Sequence, residues 1–239
     1  MNNVLTIQRT GRKSEGRATE CQDRLLARIL PLNDGEAGYL LAVADGITNC
    51  AFGGSVAKWV IDRHLAEDRI DFLENEDRAN LFRDYLSALY ATFQSEFSDM
   101  ADMLMSGCCL VAMIVVRNKW VCCSVGDCPA FILTKAEKGF DGRQITRPHI
   151  DRFSGALTDC FGNHAPCSYN VYEGEIAPGD VLVLTSDGAK LDEVSLSADL
   201  NQLGFTDQWL KEIAERAMCS RFWDDISVVA HQSGTSSDK

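Results

Sequence analysis

The chain has 239 residues, 46% hydrophobic and 24% charged, with a formal net charge of −12. That composition fits a globular protein with a sizeable core. Its acidity argues against a general nucleic-acid binder, because phosphates need Lys and Arg. No run reaches the roughly 18 consecutive apolar residues of a membrane span. The opening MNNVLTIQRTGRKSEGR has no apolar signal core, so a cytoplasmic protein is expected.

The first strand is expected in VLTIQRT (4–10), which alternates. DRLLARILPL (23–32) and YLLAVAD (39–45) flank the turn NDGEAG and read as a hairpin. GGSVAKWVIDRHLAED (53–68) has helical spacing, with Val56, Trp59 and Val60 on one face. A longer helix is expected over about 77–98, where Leu81, Tyr85, Leu89 and Phe93 recur every four residues. A meander follows in CLVAMIVV (109–116), WVCCSVGD (120–127) and PAFILT (129–134). Residues 135–170 are mixed and read mostly as loop. VLVLTSD (181–187) is a strand, 195–201 and 206–219 are helical, and ISVVAH (226–231) is the last strand. No repeat or linker divides the chain, so one domain over 1–239 is expected. Strands in runs with helices grouped between them argue α+β.

Ten cysteines occur without a CxxC, and Cys160 and Cys167 lack a second pair for zinc. Cys108-Cys109 and Cys122-Cys123 lie in apolar runs, where strand neighbours face opposite sides. Nearly all ten are expected to be reduced, buried and small-hydrophobe-like.

Acids recur at the ends of apolar strands. Asp23 opens one, Asp45, Asp127 and Asp187 close three, and Asp224-Asp225 precede the last. Gly46, Gly126 and Gly188 adjoin them and permit sharp turns and close approach of backbone carbonyls. Each Asp-Gly read alone is a turn. Together, clustered carboxylates would repel one another, which a hard divalent cation relieves. The pattern itself reaches only to an oxygen-rich Mg²⁺ or Mn²⁺ site.

The order and context of these motifs resemble the metal-dependent Ser/Thr protein phosphatases of type 2C, the PPM family. ATECQDR (18–24), VADGITN (43–49), SGCCLVAMIV (106–115), SVGDCPAFIL (124–133), PGDVLVLTSDG (178–188) and WDDISVVA (223–230) stand in family order. RQITRPH (143–149) and LTDCFG (157–162) resemble the weaker motifs between them. The resemblance implies an α-β-β-α sandwich of two antiparallel sheets flanked by helices. It implies two Mn²⁺ or Mg²⁺ ions, and in some members a third. Asp45 would bridge both, the carbonyl of Gly46 would bind one, and Asp187 and Asp224 would complete the second. Asp23 would order metal-bound water, and Asp127 with Asp187 would hold the third ion. The implied reaction is hydrolysis of phosphoserine or phosphothreonine by a bridging hydroxide, with a phosphorylated protein as substrate and an opposing Ser/Thr kinase in a signalling pair. A monomer without nucleic-acid or membrane partners is expected.

The chain departs from the family pattern in places. The phosphate-binding arginine is expected five residues before Asp23, where Ala18 stands. Arg17 lies one residue earlier, with Arg12 and Lys13 as alternatives. Gln22 stands for Glu, Ile47-Thr48-Asn49 offers no histidine, Cys108, Cys109 and Cys128 replace hydroxyl residues, and Asp225 replaces Asn. Asp225 would then tighten metal binding or reach solvent. His149 is expected in a surface or capping role, and His64 in a structural one. Two other readings stay open: a non-catalytic relative that binds phosphoproteins, and a hydrolase of small phosphoesters.

Overall fold

The computed structural model describes residues 3–12, 20–162, 167–219 and 221–234. Two antiparallel sheets pack face to face. One has the strand order β1 (Val4–Arg9), β11 (Ile226–Gln232), β10 (Val181–Thr185), β6 (Ala130–Ala136), β7 (Gly139–Gln144). The other runs β2 (Arg24–Pro31), β3 (Ala37–Gly46), β4 (Gly107–Val116), β5 (Lys119–Val125), β9 (Asn170–Glu175), and the short β8 (Phe161–Gly162) also pairs with β4. Helix α1 (Gly53–Lys58), continuing as a π-helical stretch Trp59–Leu65, covers the second sheet with α2 (Arg78–Glu96) and the short α3 (Ala101–Leu104). Helices α4 (Glu193–Leu203) and α5 (Asp207–Ala217) cover the first. The result is the expected α-β-β-α sandwich.

Side-chain alternation along the strands builds three apolar layers at once. On β3, Leu40, Ala42 and Ala44 meet the helices, whereas Leu41 and Val43 meet the opposite sheet. All of β4 is buried because both its faces are covered. The adjacent cysteines divide as expected. Cys108 and Cys123 join the helix side, and Cys109 and Cys122 join the inter-sheet core. All ten are free thiols. Four are not buried, however: Cys21, Cys50 and Cys167 are partly exposed and Cys219 is exposed. These four sit at element ends or in connections, where the sheets offer no cover.

Two further differences have physical causes. Residues 135–170 are not mostly loop, since they hold β7, β8 and the start of β9. β7 and β9 each end a sheet and are half-exposed, so GFDGRQ and NVYEGE lack the apolar alternation that marks a covered strand. The expected helix over 53–68 widens at Trp59, where Ala66 N–H reaches back five residues to the Ile61 carbonyl at 2.9 Å. The widened turn seats Trp59 against Phe93, Phe97 and Phe161. His64 in this stretch is structural as expected, its ring against Trp59 and its Nδ1 3.1 Å from Asp68.

His231 on β11 lies between the sheets, its ring centroid 4.4 Å from that of Tyr39 on the facing sheet. It is 3% exposed, and its Nδ1 has no hydrogen-bond partner. Burial pulls its pKa down from 6.5 to about 4. Because the folded pKa is the lower one, the native state is undisturbed above about pH 6.5. It loses stability as pH falls from 6.5 through 4. The full loss is about 3 kcal/mol. Urea unfolding at pH 7 and at pH 4.5 should show His231→Phe losing less stability over that interval than the wild type. Equal losses would remove His231 from the acid response.

Candidate active site

The same alternation that builds the inter-sheet core carries polar groups to its open end. On β3, Leu41 and Val43 face the other sheet, and Asp45 is next in that phase. On β2, Leu25 packs into the inter-sheet core and Asp23 precedes it by two. On β11, Val229 faces inward, and Ser227 and Asp225 fall in phase with it. Pairing of Arg24 with Ala44 and of Asp45 with Cys109 puts the start of β2, the end of β3 and the start of β4 at one edge. Ser186, which follows β10, binds across to Ser227 through its amide at 3.0 Å.

Asp23 is fully buried, and neither of its carboxyl oxygens has a hydrogen-bond partner. Ser186, Ser227 and Asp45 lie near enough to act on its charge without meeting hydrogen-bond geometry. Its pKa rises from 3.8 to about 6, chiefly through burial, with the Asp225 charge adding to the rise. Asp45 stands between Asp23 and Asp187, and its pKa is driven well above the ordinary carboxylate value by burial, then by those two charges. Asp187 opens a 3₁₀ turn, Asp187–Ala189, immediately after β10. Asp224 accepts the Asp225 amide on Oδ1 at 2.8 Å, and a Cβ on Gly188 would lie 3.2 Å from the Asp224 Cβ. Asp23, Asp45, Asp187 and Asp224 are thus brought to one sheet edge. Asp127 stands one side chain away, across Cys109, whose thiol feels both Asp127 and Asp45. Arg17 and Lys13 lie outside the described residues. Arg12 forms an isolated bridge with Trp223.

Close packing fixes the backbone here. A Cβ on Gly46 would lie 2.5 Å from Gly53 C and Gly54 N, and one on Gly53 would lie 2.6 Å from the Ile47 carbonyl. The start of α1 therefore sits directly on the strand end. Asp225 neither reaches solvent nor joins the acids as a ligand. It is 2% exposed and accepts the amides of Gly11 at 2.5 Å and Gln22 at 2.7 Å. It therefore ties the segments flanking Asp23 to the start of β11. His149 is equally structural. Its Nδ1 accepts the Gly126 amide at 2.9 Å, its own amide donates to the Gly126 carbonyl at 2.9 Å, and Asn170 meets its Nε2 at 2.9 Å. It clamps the turn that carries Asp127. Gln8, which sequence reasoning missed, donates from Nε2 to the Asp23 carbonyl at 3.0 Å and to Ser227 Oγ at 3.1 Å. A glutamine in an alternating strand carries no pattern that marks this role.

Among the described residues, no three His, Cys, Asp or Glu side chains already stand in ligand geometry for a metal ion. The donor set nevertheless fits a hard cation. It offers only oxygens, it crowds carboxylates in a low dielectric, and no donor meets hydrogen-bond geometry at the Asp23 oxygens.

The α-β-β-α sandwich is the fold that the resemblance implied, and comparison identifies the family. A family model described as protein phosphatase 2C matches residues 10–222. The chain belongs to the protein phosphatase 2C family, and so to the class of protein serine/threonine phosphatases. Solved structures share the fold at low identity. The S. agalactiae serine/threonine phosphatase has a TM-score of 0.78 at 17% identity, over 96% of this chain and 98% of that one. Stp1 from Staphylococcus aureus has 0.77 at 18%, over 97% and 95%. The catalytic domain of PstP, solved in complex with two manganese ions, has 0.70 at 21%, over 96% and 98%. A search of curated proteins finds no match. No described helix is long and apolar enough to cross a membrane.

Since the folded pKa of Asp23 is raised, its burial costs nothing below about pH 3.8, where it is protonated in both states. The cost grows as pH rises through 6, to about 3 kcal/mol. In EDTA at pH 8, Asp23→Asn should therefore unfold at higher urea than the wild type, with the gap closing toward pH 4. Divalent cations should stabilise the variant less. A variant less stable than wild type at pH 8 would mean that Asp23 has a partner its surroundings do not show.

Proposed function

We propose that this chain hydrolyses phosphoserine and phosphothreonine in protein substrates in a divalent-metal-dependent reaction. The observation that carries the reading is the fully buried, partnerless carboxylate of Asp23 beside Asp45 and Asp187. Asp45 and the Gly46 carbonyl would hold one ion, and Asp45, Asp187 and Asp224 a second. Asp127 with Asp187 would hold a weaker third. Mn²⁺ or Mg²⁺ bound there would supply a water of lowered pKa and offset charge on the phosphoryl oxygens. The manganese-bound PstP relative supports that choice of metal.

The protein's own groups have separate parts. Asp23 orients the attacking water through its free oxygens. Asp225, Gln8 and the Gly46–Gly53 contact hold the strand ends so that the acids need not reorganise. Arg17 would take a phosphoryl oxygen. Attack of a water oxygen on phosphorus forms one P–O bond and breaks the bond to the serine or threonine oxygen, and a proton released by that water ends on the departing hydroxyl. The thiols play no chemical part: burial raises those of Cys108, Cys109 and Cys128 well above their ordinary value, so they stay protonated. The reading includes one domain over 1–239, acting as a cytoplasmic monomer opposite a Ser/Thr kinase. Those features rest on the sequence.

Phosphate release from a phosphothreonine peptide tests it, with Mn²⁺, with Mg²⁺ and with EDTA. Turnover is expected with either metal and not with EDTA, and Asp45→Asn should lower kcat by about 1,000-fold or more. Binding of the peptide without turnover in either metal would favour a phosphoprotein-binding relative. Preference for p-nitrophenyl phosphate over all peptides would favour a small-molecule esterase.

A further inference from the structure

A cavity of about 330 Å³ opens beside the acids, lined by Asp187, Gly188, Lys190, Phe222, Trp223 and Asp224. Among the described residues, Lys190 is the one basic side chain in that lining. A second cavity, of about 380 Å³, lies on the other side of the same lysine and includes Asp192, Ser195 and Arg216 in its walls. Lys190 therefore stands where a groove leaving the acids passes onto the surface between the 3₁₀ turn and α5.

Its backbone is unusual. Lys190 has φ 50° and ψ 45°, the left-handed region that normally takes Gly or Asn. A side chain there costs on the order of 1 kcal/mol. The geometry is imposed by the acid segment: Lys190 N–H donates to the Asp187 carbonyl at 2.9 Å, and Gly188 is pressed against the Asp225 carbonyl. The fold gains nothing visible from the lysine head. Lys190 is exposed and makes no ion pair with another described residue, whereas Arg216 in the neighbouring cavity is engaged by Asp199. A strained, exposed cation in a protein of net charge −12 points to a partner outside the chain.

We infer that Lys190 is a positioning residue for acidic phosphoprotein segments. It pairs with a substrate carboxylate flanking the phosphorylated residue, while that residue sits at Asp187 and Asp224. Phe222, 42% exposed at the cavity edge, has the Arg221 guanidinium 5.3 Å from its ring centroid. This rests on the phosphatase reading above and names the substrate class for the same site. The cation offsets the repulsion that an acidic substrate meets from the clustered carboxylates.

The test compares a phosphothreonine peptide flanked by Glu with a twin flanked by Gln. Each is followed by fluorescence anisotropy with Mn²⁺ present and, where there is turnover, by kinetics. Lys190→Gly and Lys190→Asn keep the backbone conformation and remove the charge, and Lys190→Arg keeps the charge. The first two should weaken binding of the Glu peptide about fivefold and raise its KM to match, with kcat held. The Gln twin should bind all variants alike, and the difference should vanish near 1 M salt. Lys190→Gly should melt no lower than the wild type. Equal loss for both peptides would overturn the assignment, because Lys190 would then hold the phosphoryl group. No loss for either, or loss shared by Lys190→Arg, would overturn it as well. Binding decides the point even without turnover, whereas absent turnover sinks only the phosphatase reading.

Discussion

Carboxylates crowded into the end of a dry inter-sheet core set the terms for the rest of this molecule. Asp23 is fully buried, with no group in hydrogen-bond geometry at its oxygens, and Asp45 stands between it and Asp187. Burial of Asp23 opposes folding increasingly as pH rises from 3.8 through 6, and the raised pKa of Asp45 acts in the same direction. The arrangement persists because the surroundings over-determine it. Three apolar layers, each built by strict alternation along the strands, leave the strand ends no freedom to splay.

Much of the polar bracing falls on the backbone around Asp23. Asp225 accepts the amides of Gly11 and Gln22, and Gln8 binds the Asp23 carbonyl, whereas Ser186, Ser227 and Asp45 near the Asp23 side chain stay outside hydrogen-bond geometry. His149 does the same for the turn that carries Asp127. A fold that fixes the main chain around a buried carboxylate with no hydrogen-bond partner, that of Asp23, is preorganised for a cation. The converse arrangement, with neutralised acids on a loose backbone, would have to reorganise on binding.

Much of this was legible in the residues. The covered strands and both long helices announced themselves because burial on one or two faces forces an apolar period. The places of Asp45, Asp187 and Asp224 at the ends of buried strands were legible, because each adjoins an apolar run. β7 and β9 were not legible, since an edge strand with solvent on one side need not alternate. Nor was Asp225 as a brace. Sequence gives a carboxylate at a strand start, and only the pairing of β1 with β11 brings Gly11 to it, while the facing sheet, through the start of β2, brings Gln22. Gln8 was hidden for the same reason, as its partners lie 15 and 219 residues away.

The cysteines around the acids acquire a physical meaning from the same constraint. Cys108, Cys109 and Cys128 stand where the family pattern has small hydroxyl residues, and all three are buried. Their thiols feel the charge of Asp45 and stay protonated, so they add no charge of their own. Thiols are weaker hydrogen-bond donors than hydroxyls and behave as small hydrophobes. Exchanging hydroxyls for them withdraws donors from the carboxylates and lowers the local dielectric. Both changes disfavour the ionised acids in the chain alone, and both strengthen the attraction to a cation that replaces the missing donors. The cysteines therefore act on the site without chemistry, by deepening the electrostatic deficit that the acids create.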